Sequence, residues 1–174
     1  NEMLAEVLGH AEWIMFALVL ANQAGVPVFA APALLAVGAL AWTGDVNIGV
    51  AVAGATGASL CADLGWYTIG RWRGHRALAA LGRLSRGTRA FVDDAQRLFL
   101  AHDRAFQLGA RFLPELNPVA TAFAGMAGVG PRRFVLVAAV SAAMWASTWI
   151  GAGYLIASTT WSGGSGILVF SVIV

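Results

Sequence analysis

The sequence predicts an all-α integral membrane protein, an inverted repeat with two proline-broken re-entrant segments and transmembrane helices. Three observations predict it. Of 174 residues, 59% are hydrophobic and 11% charged, with a mean hydropathy of +0.72, against roughly a quarter charged in an ordinary globular chain. Two stretches of 25 residues, 46–70 and 134–158, hold one charge between them, Asp63, and each exceeds the roughly 20 residues that cross a bilayer. Shifting the chain by 87 positions places Pro27 on Pro114, Ala33 on Ala120, Gly38 on Gly125, Val50 on Val137, Tyr67 on Tyr154 and Ile69 on Ile156.

The same composition excludes other classes. A single cysteine, Cys61, rules out a disulfide scaffold and a paired-cysteine metal site. The apolar excess rules out disorder. A pI of 9.3 invites a nucleic-acid reading, but the formal net charge is only +2 and any basic patch would stand beside lipid-compatible runs. No nucleic-acid partner is expected.

The chain reads as one transmembrane domain, 1–174, with repeat 1 at about 22–70, a cytoplasmic amphipathic linker at about 71–104 and repeat 2 at about 109–158. Residues 13–44 carry no charge, yet Asn22, Gln23, Gly25, Pro27 and Pro32 cluster in their middle. Proline removes a backbone donor and breaks a helix. A helix ending near Ala21, a broken turn and a second apolar piece at about 33–42 are therefore expected. Glu2, Glu6 and Glu12 near the start argue against a signal peptide, whose first residues are basic.

The span at 46–70 is followed at once by Arg71, Arg73 and Arg76, which places its C-terminal end in the cytoplasm. Between 71 and 104 lie eight arginines and three aspartates, 8 − 3 = +5, and residues 88–104 set Phe91, Val92, Ala95, Leu98 and Phe99 on one side and Asp93, Asp94, Arg97 and Arg104 on the other, as an amphipathic surface helix does. Residues 105–130 are apolar but hold Arg111, Pro114, Glu115, Asn117 and Pro118, so they too should be broken at membrane depth. Arg132 and Arg133 precede the span at 134–158, which makes its N-terminal end cytoplasmic and the two spans antiparallel. Residues 167–174 are apolar but too short to span alone, so this run is either cut or completes a span with partners.

Bilayers tolerate broken backbone only where protein or water satisfies it, so the two broken segments should face one another. The prolines that shape them are Pro27, Pro32, Pro114 and Pro118. Discontinuous helices in inverted halves are a transporter architecture, and helix N-termini attract anions such as phosphate. Ionisable residues at this depth are functional candidates. Arg111 and Glu115 stand four apart, as a ligand contact or as an internal ion pair. Asp63 is a candidate for proton coupling, or pairs with Arg71 or Arg111. Asn22, Gln23 and Asn117 touch the ligand or satisfy freed backbone. Substrate contacts are thus sought at Arg111, Asn117, Asn22 and Glu115, and no catalytic residue, metal or cofactor is expected. His10, His75 and His102 lack metal-binding spacing. Trp13, Trp42, Trp66, Trp72 and Trp161 suit an aromatic belt, whereas Trp145 and Trp149 should pack inside.

The stretches NQAGVPVFAAPALLAVGALAWTG, ADLGWYTIGRWRG and RFLPELNPVATAFAGMAGVGPRRF, with the later GAGYLIA, resemble the DedA family, also called the VTT or SNARE-associated domain. The resemblance covers about 22–157. It implies two inverted re-entrant segments in a bacterial inner-membrane, multi-pass protein that moves undecaprenyl phosphate or phospholipids in a manner linked to proton motive force. The family pattern carries an acid before the first broken segment, a second acid within it and two arginines six apart at the second. Here those positions hold Asn22, Ala31, Arg111 and Asn117, so only Arg111 matches. Proton coupling would then fall to Asp63 or Glu115.

The expected function is movement of an anionic lipid phosphate between leaflets, with membrane lipids as partners and a homo-oligomer open. The alternatives are a non-transporting scaffold that recruits a partner through its arginine-rich face, and a small-anion channel filtered by Arg111.

Overall fold

The computed structural model describes residues 10–26, 28–74, 97, 109, 111–112 and 116–162. Among them are five helices and no strand: α1 (Ala11–Gln23), α2 (Ala30–Thr43), α3 (Ile48–Arg73), α4 (Leu116–Met126) and α5 (Pro131–Ser162). The expected linker helix at 88–104 and the apolar run at 167–174 lie outside the described residues, as do Pro27, Pro114 and Glu115.

Length separates the helices into two kinds. At 1.5 Å per residue, α3 and α5 are about 39 and 48 Å long, whereas α1, α2 and α4 reach only about 16–21 Å against a hydrocarbon core of about 30 Å. The long pair can cross a membrane; the short three cannot do so alone.

The break in the first apolar stretch falls where its polar residues cluster, but two residues later than expected, because α1 runs on to Gln23. Ala24 and Gly25 then turn, with Gly25 at φ 94°, a left-handed conformation that a side chain disfavours. Pro32 lies inside the first turn of α2 and Pro118 inside that of α4, where a missing N–H removes no intrahelical bond. These two prolines therefore stand where helices begin. Gly44 closes α2 at φ 87°, and Asn47 caps α3 by accepting from the amides of Gly49 (2.9 Å) and Val50 (3.2 Å).

The packing is crossed. Helix α2 rests on α5, α4 rests on α3, and the long helices pack on each other. Both crossings are so close that glycine is required. A Cβ on Gly38 would sit 2.0 Å from the carbonyl oxygen of Ile150, and one on Gly153 would sit 2.1 Å from that of Leu35. At the other crossing, a Cβ on Gly125 would sit 2.1 Å from the oxygen of Tyr67, and one on Gly70 would sit 2.2 Å from that of Ala122. Small residues let helix backbones approach where lipid supplies no hydrophobic drive.

The two crossings repeat one another. Leu35 and Gly38 correspond to Ala122 and Gly125, 87 positions on, while Tyr67 and Gly70 correspond to Ile150 and Gly153, 83 positions on. The register of the short helices is the one legible in the sequence, and on the long helices the contact slips by about one turn. The aromatic contacts keep the 87-residue spacing: Tyr67 donates from its hydroxyl to the Val129 carbonyl, and Tyr154 meets Trp42 edge-on at 5.2 Å.

Helices α3 and α5 run antiparallel, with Tyr67 stacked on Phe134 at 4.3 Å. Arg71 and Arg73 in the last turn of α3 and Arg132 and Arg133 in the first turn of α5 are all exposed at this end. Two apolar clusters fill the interior. One joins Met15, Val19, Leu34, Ala55, Ala58, Trp145 and Ile150; the other joins Tyr67, Val119, Phe123, Phe134 and Ala138. Along α3 the boundary between them falls at Asp63, and along α5 at Ser141.

Candidate functional site: a buried polar centre

That boundary is where the buried polar side chains collect. Asn22, Gln23, Ser59, Asp63, Arg111, Asn117, Thr121 and Ser141 are all at most 7% exposed. Helix α3 brings Asp63 inward because Ala55, Ala58, Ser59, Ala62 and Asp63 lie on its buried face. Asp63 is ten residues from the end of the helix, about 15 Å at helical rise.

Arg111 and Asp63 form an ion pair through Nη2 and Oδ2, with side chains 1% and 0% exposed. Of the two pairings open from sequence, Asp63 takes Arg111; Arg71 instead donates to the Tyr67 hydroxyl at 3.0 Å. Arg111 also donates from Nε to Ser141 Oγ at 3.3 Å. The second carboxylate oxygen of Asp63 accepts from Asn117 Nδ2 at 2.9 Å, and the same amide donates to Gln23 Oε1 at 2.9 Å. The last residue of α1, the middle of α3, the first turn of α4 and the middle of α5 are thus joined by one network through Arg111 and Asp63.

Burying a guanidinium and a carboxylate is tolerable only when they are paired and their remaining donors and acceptors are met. Here that satisfaction is incomplete. Among the described residues, Arg111 Nη1 and Ser59 Oγ are buried with no hydrogen-bond partner, as is Trp149 Nε1 on α5. Arg111, Asp63, Asn117, Thr121, Ala120, Phe134 and Ala138 line a void of about the size of one water. A phosphate group is larger than this void.

Of the substrate-contact candidates, Arg111 and Asn117 meet here with Asp63. Asn22 does not join them: its side-chain amide donates to the Val28 carbonyl and so satisfies the turn after α1. Glu115 lies outside the described residues. Gln23, expected to touch a ligand or to satisfy freed backbone, instead accepts from Asn117, and three residues beyond the expected set join the centre: Ser59, Thr121 and Ser141. Ser59 stands one turn before Asp63 on the same face, a spacing that could have flagged it. Thr121 hydrogen-bonds the Asn117 and Pro118 carbonyls at 3.0 Å each, and nothing in the sequence sets Ser141 apart from other serines in apolar helices.

Two apolar helices long enough to cross a bilayer, shorter helices packed through glycine crossings, and a buried charge pair within the apolar interior define an integral membrane protein with helical spans. The chain belongs to the VTT domain family, whose sequence profile matches residues 26–155, in line with the DedA resemblance. It is similar to an uncharacterized membrane protein of the cyanobacterium Synechocystis, 27% identical over 153 residues that cover 88% of this chain and 69% of that protein. No solved structure matches the chain.

Proposed function

We propose that this protein moves an anionic lipid phosphate, undecaprenyl phosphate or a phospholipid, between the leaflets of the bacterial inner membrane, without chemical conversion of the lipid. The observation that carries this reading is Arg111, a cation 2% exposed between two apolar clusters, with one guanidinium nitrogen unpartnered beside a void. Ionisable groups at membrane depth are costly and mark substrate pathways, and a guanidinium matches phosphate through paired N–H groups.

The short helices support the same reading. Helices α2 and α4 are half-length, each packs on the long helix from the other half of the chain, and both crossings share one contact pattern. We read them as parts of two inverted re-entrant halves, the form in which transporters rock about a central site. The water-sized void is then the occluded state. Asp63 is the carboxylate placed to couple protons, since the family's acidic positions hold Asn22 and Ala31 here.

Reconstitution into proteoliposomes carrying labelled undecaprenyl phosphate tests the proposal. The wild type is expected to move label between leaflets, and Arg111→Ala to slow it by about tenfold or more, the loss of one charge-assisted contact. Absence of flux in the wild type would sink it. A scaffold would show no flux and would lose function when the arginines between 71 and 104 are neutralised; a small-anion channel would show conductance without lipid movement.

A further inference from the structure

The buried centre raises a question of occupancy. An arginine kept for an incoming phosphate should present its donors to a cavity, yet Arg111 spends Nη2 on Asp63 and Nε on Ser141, and only Nη1 is left without a partner. Asp63 is itself held on its other oxygen by Asn117, which also holds Gln23 at the end of α1. The carboxylate therefore presents to the guanidinium the geometry that a phosphate oxygen would present. The void that both residues line has room for about one water and none for a phosphate group.

We propose that Asp63 is a tethered competitor, a carboxylate of the protein's own that occupies the anion position on Arg111 and must leave it before a phosphate group can bind. This rests on the reading of Arg111 as the anion contact and adds the residue that sets its affinity. The argument is one of charge and of donor count. Arg111 and Asp63 sum to zero, so the empty centre is neutral and can be held in an apolar interior. A phosphate arriving while Asp63 stays in place would put two anions against one cation in a medium that screens them poorly. With Asp63 turned away from Arg111, the phosphate gains Nη1 and Nη2 together, the paired contact that makes arginine selective for phosphate over a point anion.

The ligand chemistry is a phosphate group, carried by a lipid or free in water. Binding is measured calorimetrically on the full chain in detergent with two probes, a short-chain phosphatidate and inorganic phosphate. Asp63→Asn keeps the shape and a carbonyl acceptor for Arg111 but removes the competing charge. It is expected to bind the phosphatidate at least about tenfold more tightly than the wild type, and Arg111→Gln added to Asp63→Asn should abolish the gain. A gain with phosphatidate alone assigns the site to a lipid headgroup; a gain with both probes shows that the phosphate group suffices. Unchanged or weaker binding by Asp63→Asn, with Arg111→Gln still reducing binding, overturns the competitor and leaves the reading of Arg111 intact. Binding that is indifferent to Arg111→Gln overturns both. Should Asp63→Asn fail to fold, infrared difference spectra of the wild type decide the matter. Added phosphatidate should shift a carboxylate stretching band as Asp63 loses Arg111, and a spectrum without any carboxylate change overturns the proposal.

Discussion

A guanidinium and a carboxylate are each too costly to hide alone in an apolar interior, so Asp63 and Arg111 stabilise this protein only as a pair. Arg111→Ala or Asp63→Ala leaves one buried charge uncompensated and should cost about 3–5 kcal/mol. Replacing both by the neutral amides Asn and Gln should restore most of the loss. Thermal unfolding in detergent of the two single variants and the double variant measures this, and additive losses would refute the coupling. The same physics explains what was legible at this scale. A charge in an apolar run has no local way to satisfy itself, so Asp63 and Arg111 stand out in the sequence. A serine or threonine in a helix can bond its own backbone, as Thr56 does to the Val52 carbonyl and Thr148 to that of Met144, each at 2.7 Å. The part taken by Ser141 in the site was therefore invisible.

The elements divide by what their neighbours permit. The ends of α1, α2, α3 and α5 fall within a few residues of those expected, because the polar cluster at 22–27 and the charges at Asp45, Arg71 and Arg133 bound the apolar runs. Which helix packs on which was not legible, since the partner of α2 lies about a hundred residues away on α5. The glycine crossings make a prediction at this scale. Gly38→Ala and Gly125→Ala each drive a methyl group into a backbone carbonyl, and overpacking of this kind costs about 1–3 kcal/mol. Gly57→Ala and Gly65→Ala on α3 meet open space and should be neutral or stabilising by up to about 1 kcal/mol. Midpoints of denaturation for the four variants test the contrast, and equal effects at all four would contradict the close crossings.

On the scale of the molecule, two apolar clusters meet at one polar layer that ties the end of α1 to the start of α4. If the halves rock about that layer, joining them should stop transport. In a Cys61→Ser background, Gln23→Cys with Asn117→Cys bridged by a short bifunctional thiol reagent should lower flux at least about tenfold, and reduction of a cleavable bridge should restore it. Flux that survives the bridge would refute rocking at this interface. The sequence by itself determined that the chain lives in lipid, that two spans run antiparallel with their arginines at one end, and that the first apolar stretch breaks at its polar cluster. Each follows from composition, charge placement or a short-range backbone rule. Only the tertiary structure decided that Asp63 takes Arg111, that Asn117 reaches Gln23, and that each short helix crosses the long helix of the other half. Those choices depend on the distance between backbones remote in sequence, and periodicity along one chain carries no measure of that distance.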